Sequence, residues 1–265
     1  MEAKHYQMDS LAVEVHPDRR AMGAAAAECA AEAIRRMLNE SGEASAIFAS
    51  AASQNEFLEA LRTRPGIDWT RITVFHLDEY LGIGAGHPAS FRRYLQEHLV
   101  DHVPVRQFHQ LRGDAPDAEA ECARYQSLLR QVQPGLVALG IGENGHLAFI
   151  DPAECDFNDP RDVRIVELDE VCRKQQVHDG AFAALAEVPL RAISLTVPAI
   201  LRAPRVVACV PGPTKKHSVK RALEGAIEES CPASALRRHA GARLFLDAES
   251  ACLLNGGGRA LPTRG

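Results

Sequence analysis

Two acidic residues interrupt an apolar run at residues 75–82, FHLDEYLG, where Asp78 and Glu79 stand between Leu77 and Tyr80. A carboxyl group held among apolar neighbours has its charged form disfavoured, so it accepts a proton readily near neutral pH. The same position also suits a carboxylate that caps nearby backbone N–H groups. A second stretch, residues 139–152 (LGIGENGHLAFIDP), carries Gly140, Gly142 and Gly145 just before His146. Glycines there let a backbone approach a ligand closely. Asn144 and Asp151 are the polar groups able to orient the His146 ring and set its tautomer. The plainer alternative is a turn holding an incidental histidine. The spacing is not that of G-x-G-x-x-G, so this is no dinucleotide fingerprint.

Two further loops offer anion chemistry. In residues 49–57 (ASAASQNEF), Ser50 and Ser53 precede a helix whose N-terminal N–H groups suit a phosphate. Ser53 or Asn55 serving only as a helix cap is the competing reading. In residues 210–220 (VPGPTKKHSVK), Lys215 stands at a helix start, where it reaches an anion or belongs to a solvated basic face with Lys216 and Lys220. Together the four loops supply an anion cradle, a lysine, a carboxylate base and a histidine. Such a set suits proton transfer on a phosphorylated small molecule.

The elements that must position these loops alternate along the chain. Helices are expected at residues 22–40, 55–63, 89–100, 117–132 and 215–223, with a short last one ending at Leu254. Apolar runs at 46–50, 71–76, 135–141, 163–168, 192–197, 206–210 and 242–246 read as strands buried on both faces. This pattern predicts an α/β fold with a mostly parallel central sheet covered on both sides. Ligands of such sheets bind beyond the carboxyl ends of the strands, where all four loops fall. No internal repeat or linker divides the chain. Residues 1–254 are expected to form one domain, followed by a flexible Gly- and Pro-rich tail at 255–265.

Composition removes several classes. The 265 residues are 46% hydrophobic and 25% charged, with a formal net charge of −5. That is globular composition, with no basic field for nucleic acid. No apolar run approaches the ~20 residues of a membrane span. Seven cysteines, none in a CxxC pair, read as reduced thiols in a cytoplasmic protein.

The residues now resemble a known family. FHLDEYLG, HPASFRRYL (residues 87–95), LGIGENGHLAFIDP and VPGPTKKHSVKRALEG look like successive motifs of the glucosamine-6-phosphate deaminase/isomerase family, in family order, over roughly residues 10–254. The resemblance implies a Rossmann-like three-layer sandwich. It implies aldose–ketose isomerisation with deamination of an amino-sugar phosphate, converting glucosamine 6-phosphate to fructose 6-phosphate and ammonia, with no metal or other cofactor. Asp78 matches the base that moves a proton between C2 and C1, His146 the histidine that assists ring opening, and Lys215 the lysine that holds the phosphate. Glu79 either contacts the substrate or supports its loop. Gly140 and Gly145, with Ser50, Ser53 and Gln54, fall in the substrate-binding loops.

Departures from the pattern are specific. Asn144 stands where many members have Asp, and Asp151 where the family usually has Glu. Ala51-Ala52-Ser53-Gln54 replaces a Thr-Gly-Gly-Thr cluster. The family's phosphate-binding arginine has no secure match, and Arg173 and His178 are the candidates. Residues 151–180 are the expected mobile region over the pocket. Two other readings compete: a 6-phosphogluconolactonase-type hydrolase, which has no use for an enolising carboxylate at 78, and a non-catalytic sugar-phosphate sensor. Members range from monomers to hexamers, so a homo-oligomer is compatible with the family.

Overall fold

The computed structural model describes residues 3–255 and the backbone of Arg259 and Ala260. The chain opens with a hairpin, β1 (Lys4–Met8) and β2 (Leu11–His16), followed by α1 (Arg19–Ser41). Then come β3 (Ala44–Phe48), α2 (Asn55–Arg62), β4 (Ile72–His76), β5 (Asp78–Tyr80), α3 (Phe91–His98), β6 (Gln107–Phe108), α4 (Ala118–Val132) and β7 (Leu136–Leu139). The second half holds β8 (Val163–Glu167), α5 (Glu170–His178), β9 (Arg191–Leu195), α6 (Val197–Leu201), β10 (Arg205–Val210), α7 (Lys216–Glu224), β11 (Ala242–Asp247) and β12 (Arg259–Ala260).

Nine strands form the central sheet in the order β12-β1-β2-β11-β10-β7-β3-β4-β6. Every pairing from β2 to β6 is parallel, and only β1 runs against its neighbours β2 and β12. Side chains on a strand alternate between faces, and two cores result. Ile47, Val137, Leu139, Val206, Ala208 and Leu244 pack on one face, with Tyr125 and Leu129 of α4 and Val219 and Leu223 of α7. Ala46, Phe48, Leu136, Ala138, Val207 and Phe245 pack on the other, with Ala26, Ala30 and Ile34 of α1 and Phe57, Leu58 and Leu61 of α2. Burial on both faces is why these strands read as continuous apolar runs. The small alanine stripe of α1 (Ala26, Ala27, Ala30, Ala31) is fully buried.

Four expectations need correction. The runs at 163–168 and 192–197 are strands, but they do not join the parallel sheet. With β5 they form a separate antiparallel sheet, β5-β9-β8, in which Asp78 lies opposite Ser194. Asp78 and Glu79 therefore sit on a strand rather than in a loop. The first helix starts at Arg19, because Asp18 caps it by accepting a hydrogen bond from the Ala21 N–H. The segment before Leu254 is a turn, not a helix. Most of the expected tail, residues 255–265, lies outside the described residues; Arg259 and Ala260 pair with β1.

Candidate active site

The carboxyl ends of neighbouring strands β10, β7, β3 and β4 bring the four polar loops to one sheet edge. There they line a cleft of about 530 Å³ together with residues of α5. Ser50, Ser53 and Gln54 enter from the loop after β3, Gly140 and His146 from the loop after β7, and Lys215 from the turn after β10. Asp78 enters from β5. Glu79, Asn144, Gly145 and Asp151 do not line the cleft, and each has a separate place in the structure.

Asp78 is 6% exposed, and no side-chain hydrogen bond engages its carboxylate among the described residues. Burial, reinforced by the neighbouring charge of Glu79, holds its pKa well above the usual carboxylate range. Glu79 faces the other way. Of the two roles open to it from the sequence, substrate contact or loop support, its surroundings match the second: it is fully buried and takes hydrogen bonds from the Tyr80, Phe91 and Arg92 N–H groups and the Ser90 hydroxyl. Its carboxylate thus satisfies otherwise unpaired donors at the start of α3. Burial raises its pKa, while these donors oppose the shift. Tyr80 then anchors the strand among Phe91, Phe149 and Phe182, with ring centroids 4.8, 5.0 and 5.3 Å away.

His146 is held from behind. Its Nδ1 lies 3.1 Å from Asp151 Oδ1. Among the described residues, no hydrogen bond joins the Asn144 side chain to the ring. Its Nδ2 donates to Asp151 Oδ1 at 2.8 Å and to Asp169 Oδ2 at 2.9 Å, while its Oδ1 accepts from the His146 N–H at 3.0 Å. Asp151 is fully buried, and its Oδ2 also accepts from the Asp169 N–H. Burial alone would raise the Asp151 pKa, but His146, Asn144 and the Asp169 N–H outweigh it and hold it low. The carboxylate, one methylene shorter than Glu, therefore still reaches the ring.

Glycine is required twice here. A Cβ on Gly142 would stand 2.2–2.4 Å from three atoms of the His146 ring, so the ring lies flat over that residue. Gly145 has φ +93°, and a Cβ there would meet Cys231 Sγ at 2.9 Å. Gly145 shapes the turn and does not contact the cleft. The cleft-lining Ala148 is also left-handed, at φ +52°, a strained conformation for a residue with a Cβ.

His146, Asp151 and Cys172 each place one ligand-type atom within 4.8 Å of the others. Burial and the nearby carboxylates of Asp151 and Asp169 push the Cys172 thiol well above its usual range. His76, buried just before β5, accepts from the Leu111 N–H, and burial lowers its pKa to about 3. It is a neutral structural histidine.

Lys215 is 6% exposed and lines the cleft; burial lowers its pKa, partly offset by Asp179 and Glu143. It is the only lysine or arginine lining the cleft among the described residues. Neither candidate for a second cation is there. Arg173 donates to the carbonyls of Leu185 and Val188, and His178 is an exposed side chain 3.8 Å from Glu143. Instead Gln175 and Gln176 of α5 and Asp179, the residue that caps its carboxyl end, line the cleft, and the sequence reading missed them. A larger hollow of about 1040 Å³ near the amino ends of β7 and β10 contains none of the predicted residues, and its Arg130 and Arg202 are both engaged by buried Asp162.

A family model described as glucosamine-6-phosphate isomerases/6-phosphogluconolactonase matches residues 17–245. The chain belongs to this family. Glucosamine-6-phosphate deaminase of an Exiguobacterium species is 36% identical over 185 residues, 70% of this chain and 71% of that protein. The Bacillus thuringiensis glucosamine-6-phosphate deaminase is 36% identical over 187 residues, 71% of this chain and 70% of that protein. Among solved structures, a monomeric glucosamine-6-phosphate deaminase superposes with a TM-score of 0.83 at 28% identity, covering 91% of this chain and 99% of its own. A Trypanosoma brucei 6-phosphogluconolactonase shares the fold, with a TM-score of 0.74 at 19% identity, covering 91% and 98%. The chain is accordingly an enzyme-family α/β protein, and no helix among its described residues is long and apolar enough to cross a membrane.

Proposed function

We propose that this protein isomerises and deaminates an amino-sugar phosphate, converting glucosamine 6-phosphate or a close analogue to a ketose phosphate and ammonia. The observation that carries this reading is the Asp78 carboxylate, lining the cleft without a side-chain hydrogen bond among the described residues and with a raised pKa, in a wall shared with His146. A base of that kind is matched to abstracting a proton next to a carbonyl near neutral pH.

His146, oriented by Asp151, moves the proton that opens the sugar ring. Asp78 then takes the C2 proton, leaving an enolamine, and returns it to C1. The product is an imine at C2, and water adds there and expels ammonia. Lys215 and the Ser50–Ser53–Gln54 loop hold the far end of the substrate, which fixes C1 and C2 against Asp78. Lactone hydrolysis needs no enolising carboxylate, which favours the deaminase reading over the lactonase one. The proposed setting is the cytoplasm, where the seven cysteines stay as free thiols. The catalytic unit is residues 1–254, acting on a small molecule rather than on nucleic acid.

The test is incubation with glucosamine 6-phosphate in deuterated water, measuring ammonia, fructose 6-phosphate and label at C1, with 6-phosphogluconolactone run in parallel. Ammonia release with deuterium at C1 supports the reading. Lactone hydrolysis without ammonia release overturns it.

A further inference from the structure

Among the described residues, the cleft wall is short of positive charge. Lys215 supplies one cation, and Asp179 lines the same cleft as a carboxylate whose field acts on that lysine. Asp179 is held in place by Gln175, whose Nε2 donates to Asp179 Oδ2 at 3.2 Å and whose Oε1 accepts from the Glu143 N–H at 2.8 Å. Independently, Gln54 presents an acceptor rather than a donor. Its Nε2 is committed to the Cys209 carbonyl at 3.2 Å and to Ser53 Oγ at 3.1 Å, which fixes the amide orientation. Its Oε1 is buried without a partner, and Gln54 is only 1% exposed.

A phosphate dianion offers only acceptor oxygens and about two negative charges. It would satisfy Lys215 but not Gln54 Oε1, which needs a donor, and it would be repelled by the Asp179 carboxylate in the same wall. A hydroxyl donates and accepts, so it can serve both Lys215 and Gln54 Oε1 without repulsion from Asp179. We propose that Asp179 is a specificity-determining residue that balances Lys215, so that the cleft accepts amino sugars ending in a neutral hydroxyl alongside phosphorylated ones. This rests on the deaminase reading above and narrows its substrate class. Removing the carboxylate charge should favour the dianion selectively, because a unit charge acts twice as strongly on a dianion as on a monoanion and hardly at all on a hydroxyl.

The experiment compares glucosamine with glucosamine 6-phosphate in the whole protein and in Asp179→Asn. Ammonia release gives KM and kcat, and calorimetric binding of both sugars is measured in the Asp78→Asn background. The expected result is measurable use of glucosamine by the unsubstituted protein. Asp179→Asn should raise the preference for the phosphorylated sugar about tenfold, through KM and Kd rather than kcat. A preference that moves less than about threefold on that substitution overturns the proposal. If neither sugar releases ammonia, the deaminase reading fails, and the ratio of the two calorimetric affinities still decides the role of Asp179.

Discussion

Asp78 and Glu79 are neighbours in the chain that face opposite directions: one lines the cleft with no side-chain hydrogen bond among the described residues, the other is sealed beneath four donors. Strand geometry imposes this division, because successive side chains of β5 point to opposite faces. One carboxylate is left for chemistry and the other organises the start of α3. Their proximity has an electrostatic result as well, since the charge on Glu79 adds to burial in raising the Asp78 pKa.

Asp78→Asn is expected to abolish turnover, retain sugar-phosphate binding and stabilise the fold at neutral pH. The folded pKa of Asp78 lies above its unfolded value of about 3.9, so the native state holds the proton more tightly. Its contribution to stability is most favourable below the unfolded pKa and is lost as pH rises through the folded one. The Tm advantage of the variant should be near zero at about pH 4 and grow toward about pH 8. Full turnover in the variant would remove Asp78 from the role of base.

Glu79→Ala should be a stability variant first. Losing a buried carboxylate that accepts four hydrogen bonds costs about 3 kcal/mol, a fall of about 6–12 °C in Tm for a chain of this size. The milder Glu79→Gln should lower the pKa of Asp78 and move the acid limb of kcat/KM to lower pH. A large loss of kcat with no change in Tm would instead place Glu79 in the chemistry.

Gly142→Ala should displace the His146 ring, since the added Cβ would overlap three of its atoms. We expect kcat to fall by about tenfold or more as the ring leaves Asp151, with far-UV circular dichroism unchanged. Wild-type kcat in this variant would show that the ring position is not critical.

Asp151→Asn tests the support behind His146. The Asp151 pKa is held low in the folded state, so its stabilising contribution is present above the unfolded pKa and is lost as pH falls through the folded one. The variant should lose about a hundredfold in kcat and melt below wild type at about pH 7, the Tm gap closing in acid. A stopped-flow assay started from open-chain substrate should recover most of the lost rate, because the defect lies in ring opening.

Much of this site was legible because parallel strands announce themselves as apolar runs and their carboxyl ends point to one edge. That placed Ser50, Ser53, Gln54, Asp78, Gly140, His146 and Lys215 together in the cleft wall. Two things were not legible. The run at 71–76 gives no warning that the chain leaves the large sheet at Leu77 and continues as β5, because pairing of β5 with β9 is a long-range choice. Without that strand, the opposed facing of Asp78 and Glu79 cannot be deduced. The contribution of α5 was hidden for another reason: Gln175, Gln176 and Asp179 are ordinary helix-surface types, and only tertiary packing turns them toward the cleft. The β1–β2 hairpin was missed because KHYQM and LAVEVH lack the continuous apolar run that marks the central strands.

The two sheets meet at Leu77, the single residue between β4 and β5. Asp78 belongs to the small antiparallel sheet, while Lys215 and Ser50 extend from loops of the large parallel one. Any molecule gripped at both ends bridges the two sheets, which otherwise meet through shared packing at Val163, Ile193 and Leu195 and through the Leu195 N–H on the Leu77 carbonyl. Occupancy should therefore stiffen the junction as a crossbeam stiffens a frame, slowing amide exchange along β5 and β9 as well as at the residues that touch the guest.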